Sequence, residues 1–266
     1  MKKSVLVTGS TDGIGKLVAI QLAKEGHEIY LHGRNSDKLT TVISEIKVQT
    51  KNNKIKGFVA DFSNLDDVKK MANQIKQELS KLDVLINNVG VYKSTISQNS
   101  DGLDMRFVVN YLAPVLLTNR LMNVLKKGEK PRLINLSSAA QSSIDYEVLT
   151  GVKKSSASTT YAQSKLALTI WSFYLAKQEL NINVIAVNPG SLLNTNMVKE
   201  AFGNYWSSAD KGADILYELA VSDDYQDASG KYFDNDQGTF AQAHPDAYNE
   251  KEINKIIATT AQFFAD

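Results

Sequence analysis

The stretch TGSTDGIG (8–15) directly follows the apolar run SVLVT (4–8) and opens a segment of helical periodicity near 14–25. Glycines at Gly9, Gly13 and Gly15 allow a tight turn, close approach of the backbone to a phosphate, and close packing of helix on strand. The free N–H groups of a helix N-terminus attract an anion. The spacing differs from G-x-G-x-x-G, but a glycine-rich turn between a strand and a helix predicts a nucleotide-binding unit.

The rest of the chain continues the alternation of strand and helix. Apolar runs predict strands at 4–8, 28–32, 56–60, 83–88, 132–137 and 183–188, with a final strand at 231–234. Helical periodicity predicts helices near 14–25, 37–50, 65–80, 103–126 and 160–179, and a closing helix at 250–265. Strands joined by crossover helices run parallel, and continuously apolar strands are covered on both faces. We therefore predict an α/β fold, a single doubly wound (Rossmann) parallel sheet with helices on both faces, forming one domain over 1–266.

Composition narrows the classes of function. Lys plus Arg number 30 and Asp plus Glu 29 among 266 residues, a net charge of +1 that gives no support to a nucleic-acid partner. The chain has no cysteine, which excludes disulfides and thiolate nucleophiles and favours a cytoplasmic location. Its three histidines are scattered, so we expect no metal site. The apolar run near the first residue is too short for a signal peptide or a membrane span, and we expect no span.

The end of the second predicted strand, LHGRN (31–35), bears on the choice of dinucleotide. Proteins that bind NAD often place an acid here for the ribose 2′-OH, whereas this chain has His32 and Gly33 followed by Arg34. A guanidinium can hold a 2′-phosphate through paired hydrogen bonds, so Arg34 favours NADP over NAD. Asp37 could still accept a bond from a ribose, and Arg34 could instead be an ordinary exposed loop residue.

A second group of polar residues suits chemistry on a carbonyl or an alcohol. In YAQSK (161–165), Tyr161 and Lys165 are four residues apart and share one face of a predicted helix. Ser138 follows the fifth strand, so its hydroxyl should lie at the same sheet edge. A nicotinamide supplies hydride to carbon and the protein must supply a proton to oxygen. A tyrosine suits this role when its pKa is lowered by the adjacent cation and by the positive charge of the oxidised nicotinamide. Asn110 could anchor a water that links Lys165 to solvent, although a surface lysine beside a half-buried tyrosine is the simpler alternative.

Taken in order, the motifs resemble those of the short-chain dehydrogenase/reductase family, in its common single-domain type. The resemblance rests on TGSTDGIG (8–15), Asp61, NNVG (87–90), Asn110, LSS (136–138), YAQSK (161–165) and NPG (188–190). Tyr161 lies 23 positions after Ser138, a longer separation than in many members, and in this respect the chain resembles retinol-dehydrogenase-like and protochlorophyllide-reductase-like members. The resemblance implies that Tyr161 is the general acid/base, that Lys165 lowers its pKa and holds the nicotinamide ribose, that Ser138 binds the substrate oxygen, and that Asn110 anchors a proton relay.

The resemblance also implies a set of cofactor-binding residues and an assembly. The cofactor set is Gly9, Ser10, Thr11, Asp12, Gly13, Ile14, Gly15, Arg34, Asp61, Phe62, Asn88, Gly90, Tyr161, Lys165, Pro189 and Gly190. Val89 stands where the family usually has alanine, and Thr195 comes one residue later than the family's usual threonine contact. Members often form dimers or tetramers by pairing the helices that here carry Asn110 and Tyr161. A monomer with the closing helix folded over that surface is the alternative.

Long aperiodic stretches within 139–159 and 190–208 follow strand ends and are predicted to form the walls of a substrate site. The second stretch contains an apolar set that predicts either an apolar pocket or a lid packed on the core: Leu192, Leu193, Met197, Val198, Phe202, Tyr205 and Trp206. We therefore expect an NADP-dependent oxidoreductase acting on a carbonyl or alcohol of an apolar small molecule. The alternatives are a reductase of carbon–carbon double bonds and a non-catalytic dinucleotide sensor.

Overall fold

One eight-stranded sheet runs through the computed structural model, which describes residues 1–264. Its strands are β1 (Ser4–Val7), β2 (Glu28–Gly33), β3 (Ile55–Val59), β4 (Val84–Asn87), β5 (Arg132–Leu136), β6 (Asn183–Asn188), β7 (Lys231–Asp234) and β8 (Thr239–Ala241). Their order in the sheet is β3-β2-β1-β4-β5-β6-β7-β8, and all neighbours are parallel except β7 and β8. The order reverses direction between β1 and β4, which places the ligand-binding crevice of a doubly wound sheet at their carboxyl ends. The predicted fold class is confirmed.

Helices cover both faces of the sheet. They are α1 (Gly13–Lys24), α2 (Ser36–Thr50), α3 (Leu65–Glu78), α4 (Met105–Phe107), α5 (Ala113–Leu125), α6 (Tyr146–Leu149), α7 (Ala157–Gln178), α8 (Asn196–Phe202), α9 (Ala209–Val221) and α10 (Glu250–Gln262). Side chains along a strand point alternately to the two faces. In β1, Val5 and Val7 accordingly join a core with α1, α2 and α9, whereas Leu6 joins a core with α3, α5 and α7. This burial on both sides explains the continuous apolar runs of the sequence.

The structure differs from the sequence prediction at several elements. The predicted helix 103–126 consists of α4 and α5 joined by a π-helical segment, Val108–Leu112, and π turns are frequent at functional sites. The sequence analysis did not predict α9, although Ser208 caps it and Ile215, Leu216 and Leu219 have helical spacing. It also missed β8, because a three-residue, partly exposed edge strand has too few residues to show a period.

The last helix packs on α7. Ile253 and Ile256 of α10 are buried, and Thr260 is buried with its hydroxyl oxygen 2.5 Å from that of Tyr111. This helix therefore covers part of the surface through which the family resemblance implies pairing of subunits. Over residues 1–264, no helix combines the length and the apolar character needed to cross a membrane.

Candidate active site

A cleft of about 500 Å³ opens at the carboxyl ends of the central strands. Most of the predicted site residues line it: Gly9, Asp12, Gly13, Ile14, Asn88, Gly90, Ser138, Tyr161, Lys165, Pro189 and Gly190. The remaining predicted residues lie outside its lining: Ser10, Thr11, Gly15, Arg34, Asp61, Phe62 and Asn110. The fold therefore brings the glycine turn and the YAQSK helix, far apart in sequence, to one cavity.

The glycine turn has a conformation that other residues would strain. Gly9 and Gly13 have φ angles of +64° and +52°, and a Cβ on Gly15 would lie 2.4 Å from the carbonyl oxygen of Gly9. Asp12 caps α1 by accepting the N–H of Gly13 at 2.8 Å. The N–H groups of Ile14 and Gly15 make no hydrogen bond within residues 1–264. The start of α1 thus leaves backbone donors available to an anion.

Asp12 also connects the turn to two other elements. Its Oδ2 accepts hydrogen bonds from Lys38 Nζ at 3.0 Å and from Asn196 Nδ2 at 2.8 Å. Partial burial would raise the pKa of Asp12, but the hydrogen bonds from Lys38, Gly13 and Asn196 outweigh it and lower the pKa. The carboxylate is therefore charged at neutral pH and joins the turn to α2 and α8.

Asn88 holds the turn from the side of β4. Its Nδ2 donates to the carbonyl oxygens of Thr8 and Gly9 at 2.8 and 3.0 Å. Its backbone N–H donates to the Thr8 hydroxyl at 2.9 Å. Sequence analysis did not single out Thr8, although its place between β1 and the glycines put a polar group at the strand end.

Two adjacent serines end β5 and have different surroundings. Ser137 is buried, with its hydroxyl 2.6 Å from that of Thr169 on α7. Ser138 is partly exposed, its Oγ accepts the N–H of Ala140 at 3.1 Å, and its carbonyl oxygen accepts the Tyr232 hydroxyl at 3.0 Å. The Ser138 hydroxyl thus lies in the cleft, where it hydrogen-bonds with Tyr161, whereas Ser137 bonds to Thr169.

Tyr161 and Lys165 lie on α7 with the ammonium 5.7 Å from the centre of the phenol ring. Lys165 is buried and donates to the carbonyl oxygen of Leu136 at 2.7 Å, and burial lowers its pKa to about 8. Burial raises the pKa of Tyr161, and hydrogen bonding with Ser138 offsets part of this shift. The net shift in this structure is upward, and the lowering of the tyrosine pKa by Lys165 stays a prediction.

Asn110 lies in the π-helical segment and is fully buried. Its Oδ1 accepts the N–H of Val91 at 2.7 Å, and its Nδ2 donates to the carbonyl oxygen of Val91 and the hydroxyl of Ser164, each at 3.0 Å. These bonds fix the segment after β4 against α7. A proton relay through Asn110 stays a prediction, since its side chain is engaged by the protein.

The loop Pro189–Gly190 is supported by a turn that sequence analysis missed. Asp236, between β7 and β8, accepts hydrogen bonds from the backbone N–H of Ser191 at 2.8 Å and from Asn188 Nδ2 at 2.9 Å. Asn235 Nδ2 donates to the carbonyl oxygen of Pro189 at 2.9 Å. The sequence contains a signal for this turn, because the polar run DNDQ (234–237) ends a predicted strand at the same sheet edge.

The apolar set of 190–208 divides between the cleft and the surface. Leu192, Leu193, Met197, Val198 and Phe202 line the cleft, whereas Tyr205 and Trp206 do not, and Trp206 is 79% exposed. Of the stretch 139–159, Ala140 and Ser158 line it.

Two further residues border the cleft near α8. Thr195 is the N-cap of α8, and its hydroxyl oxygen accepts the N–H of Val198 at 3.3 Å. Tyr92, which sequence analysis missed although it directly follows NNVG, places its ring centre 4.9 Å from that of Tyr161 and 5.1 Å from that of Phe202. The wall nearest the Tyr161 phenol is therefore aromatic.

Other predicted cofactor residues lie just after β2 and β3 and in the glycine turn. Arg34 is exposed directly after β2 and makes no hydrogen bond or ion pair with residues of the described chain. Asp61 accepts the N–H of Ser63 at 2.9 Å, and the buried Phe62 ring lies 4.4 Å from the ring of His32. Thr11 packs on Gly33, where an added Cβ would lie 2.5 Å from the threonine methyl.

Comparison with known proteins places these features in a family. The profile of the short chain dehydrogenases matches residues 3–206. The chain is 34% identical to retinol dehydrogenase 13 of Mus musculus, over 98% of this chain and 83% of the relative. It is 30% identical to polyprenol dehydrogenase of Homo sapiens, over 97% of this chain and 80% of the relative.

Solved structures have the same fold. A short chain dehydrogenase from Shigella flexneri complexed with NADP is 28% identical with a TM-score of 0.71, covering 88% of this chain and 97% of that chain. One from Escherichia coli complexed with NADPH is 28% identical with a TM-score of 0.72, covering 88% and 96%. Since the family profile and the relatives span most of the sequence, this chain belongs to the short-chain dehydrogenase/reductase family and is an NAD(P)-dependent oxidoreductase.

Proposed function

We propose that the protein transfers a hydride between NADP and a carbonyl or alcohol group of an apolar small molecule, with Tyr161 as general acid/base. The observation that carries this proposal is the meeting of Tyr161, Ser138 and Lys165 in one cleft that extends to the glycine turn. When bound, NADP supplies or accepts the hydride. The side chains of the cleft would bind the substrate oxygen and move its proton.

The residues present fit a dinucleotide. A side chain at Gly15 would collide with the carbonyl oxygen of Gly9 in the turn. The N–H groups of Ile14 and Gly15, which have no partner among residues 1–264, suit a pyrophosphate. The exposed Arg34 guanidinium, which has no partner among the described residues, could bind a 2′-phosphate, which favours NADP over NAD. The NADP and NADPH complexes of the two solved relatives support the same choice.

The polar groups suit proton transfer to a substrate oxygen. Because burial raises the pKa of Tyr161, the phenol is protonated at neutral pH and can donate to a carbonyl oxygen. The Ser138 hydroxyl can donate a second hydrogen bond to the same oxygen. Lys165, protonated below about pH 8, would stabilise the phenolate that remains after transfer. In the reverse direction, the same phenolate would accept the proton of an alcohol.

An apolar substrate is favoured by the apolar and aromatic side chains of the cleft. Leu192, Met197, Val198 and Phe202 line the cleft together with Tyr92. The relatives named retinol dehydrogenase and polyprenol dehydrogenase are named for apolar alcohols, in agreement with such a site. The substrate walls within 139–159 and 190–208, and one domain spanning 1–266, belong to the same proposal.

The test is oxidation of NADPH, and separately of NADH, by the purified protein over a panel of apolar aldehydes, ketones and quinones. Loss of a general acid typically costs 10²–10⁴-fold in rate, so we expect Tyr161→Phe to lose turnover by about that factor while NADPH affinity is kept. Tyr174→Phe is the matched control, because it removes a phenol from the same helix outside the cleft. Retained turnover in Tyr161→Phe would refute the acid/base assignment.

Product analysis separates the alternatives. Saturation of a carbon–carbon double bond would identify the other reductase class, and tight NADPH binding without turnover on any substrate would favour a sensor. A cytoplasmic location, predicted from the absence of cysteine, and a homodimer or homotetramer are also part of the proposal. Light scattering of the purified protein tests the assembly, and a monomer would agree with the position of α10 on α7.

A further inference from the structure

His32 is a buried histidine that the proposed chemistry does not use. It is the penultimate residue of β2 and is 3% exposed. Its Nδ1 lies 3.0 Å from the backbone nitrogen of Gly9, and its Nε2 lies 3.0 Å from the carbonyl oxygen of Ala60. An N–H can only donate and a carbonyl can only accept, so Nε2 carries the proton and Nδ1 accepts. These two contacts select one neutral tautomer of the imidazole.

The His32 ring connects the ends of three neighbouring strands. Gly9 follows β1, His32 belongs to β2, and Ala60 follows β3. Phe62, two residues beyond Ala60, packs its ring on the imidazole at 4.4 Å. A single side chain therefore connects the phosphate-binding turn with the segment that contains the predicted cofactor residues Asp61 and Phe62.

The backbone of His32 provides a separate connection that a substitution would keep. Its N–H donates to the hydroxyl oxygen of Ser10 at 2.9 Å, and its carbonyl oxygen accepts the Ser10 N–H at 3.0 Å. These bonds hold the turn near β2 whatever side chain is present. The imidazole, in addition, orients the Gly9 peptide, whose φ of +64° lies in the left-handed region.

We propose that His32 is a positioning residue for the cofactor turn: its neutral imidazole orients the Gly9 peptide and holds the segment after β3, so that both bind the adenosine half of NADP. This inference rests on the proposed function, because it assumes that the turn binds the dinucleotide. The ring itself need not touch the cofactor.

The charge of the ring agrees with this role. Burial lowers the pKa of His32 to about 4, while the hydrogen bond to Ala60 and the carboxylate of Asp61 act in the opposite direction. Asp61 is the titratable group that acts on the ring, and its other close neighbours are Ser10, Phe62 and backbone groups. At neutral pH the imidazole is therefore uncharged, and Nδ1 remains an acceptor for Gly9.

Two amide variants separate the contacts of the ring. In His32→Asn the Oδ1 can take the place of Nδ1 and accept the Gly9 N–H, but the side chain is too short to reach Ala60. In His32→Gln the Nε2 can donate to Ala60, but no acceptor remains for Gly9. The two variants differ by one methylene and share the same amide, so each is the control for the other.

The experiment is calorimetric titration of wild type and both variants with NADPH and with 2′,5′-ADP, a probe for the adenosine half, at pH 7.5. Leaving the Gly9 donor without its acceptor should weaken binding of both ligands in His32→Gln by about 10- to 100-fold. His32→Asn keeps an acceptor for Gly9 and loses only the contact to Ala60, so its affinity for both ligands should fall less, by no more than about threefold. Melting temperatures of all three proteins show whether each is folded.

The outcomes distinguish this inference from the proposed function. Failure of the wild type to bind NADPH would overturn the cofactor assignment and this role with it. NADPH binding by wild type and by His32→Gln with equal affinity would overturn the role of His32 alone. Equal losses in both folded variants would assign the ring to packing and also overturn it.

A measurement on the wild type covers the case in which a variant fails to fold. Nitrogen NMR of the histidine ring should show a neutral tautomer protonated at Nε2 between pH 7.5 and 5.5. A ring protonated at Nδ1 could not accept the Gly9 N–H and would contradict the proposal.

Discussion

Gly15→Ala tests whether the phosphate-binding turn depends on close contact between α1 and the end of β1. The added methyl would lie 2.4 Å from the carbonyl oxygen of Gly9 and 2.5 Å from Asn88 Nδ2. A carbon and a carbonyl oxygen in weak contact are about 3.3 Å apart, so about 0.9 Å of separation is missing. Since the Gly9 oxygen belongs to the backbone, the helix or the turn itself must move.

The size of this shift sets the expected effect. Overpacking typically costs about 1–3 kcal/mol, and we expect the upper end because backbone has to move. At roughly 2–4 °C per kcal/mol, a cost of about 3 kcal/mol should lower the melting temperature by about 6–12 °C. Binding groups need placement within about 0.5 Å, so the shift should also weaken NADPH affinity by about a hundredfold, or roughly 2.7 kcal/mol.

Thermal unfolding and calorimetric titration with NADPH measure the two effects. Gly102→Ala is a control for the contact, since an added Cβ at Gly102 has no neighbour within 4 Å, although Gly102, unlike Gly15, has a positive φ of +79°. It should cost about 1–2 kcal/mol through its left-handed backbone and leave NADPH affinity unchanged. A Gly15→Ala protein with the melting temperature and affinity of wild type would refute the reasoning.

Two further predictions concern the loop before α8 and the response to acid. Asp236→Ala removes the acceptor that Ser191 and Asn188 share, so NADPH affinity should fall about tenfold in calorimetric titration, and unchanged affinity would contradict a supporting role for this turn. Burial lowers the pKa of His32 from 6.5 to about 4, so the unfolded chain takes up the proton first as the pH falls. The stabilisation that the neutral His32 ring gives to the folded state is therefore complete above pH 6.5. Between pH 6.5 and 4, the free energy of unfolding should fall by up to about 3 kcal/mol because of this residue. Urea unfolding of wild type and His32→Asn at pH 7.5 and 4.5 checks this, and an equal decline in both proteins would show that His32 is not responsible.

Local features allowed much of the fold to be predicted before the structure. The glycine turn after β1 and the apolar runs of the other parallel strands are local signals, because strand burial on both faces requires consecutive apolar residues. The elements missed by sequence analysis have weaker local signals. The strand β8 depends on pairing with β7, and the π-helical segment around Asn110 is not distinguished from an α-helix by residue spacing alone.

The candidate site likewise has residues that the sequence could predict and contacts that it could not. The identities of Ser138, Tyr161 and Lys165 could be predicted because their motifs are short and ordered along the chain. The support of Pro189 by Asn235, and of the neighbouring Ser191 by Asp236, could not, because these partners are more than forty residues apart and meet only when β7 pairs with β6.

The sequence by itself determined the strand–helix alternation, the turn that needs glycine, and the residue types available for chemistry, because these depend on neighbours along the chain. Only the tertiary structure decided that burial of the Tyr161 phenol raises its pKa. It also decided that His32 is a neutral link between strand ends. Desolvation and long-range hydrogen bonds arise from groups that folding brings together, and so they cannot be read from residue spacing.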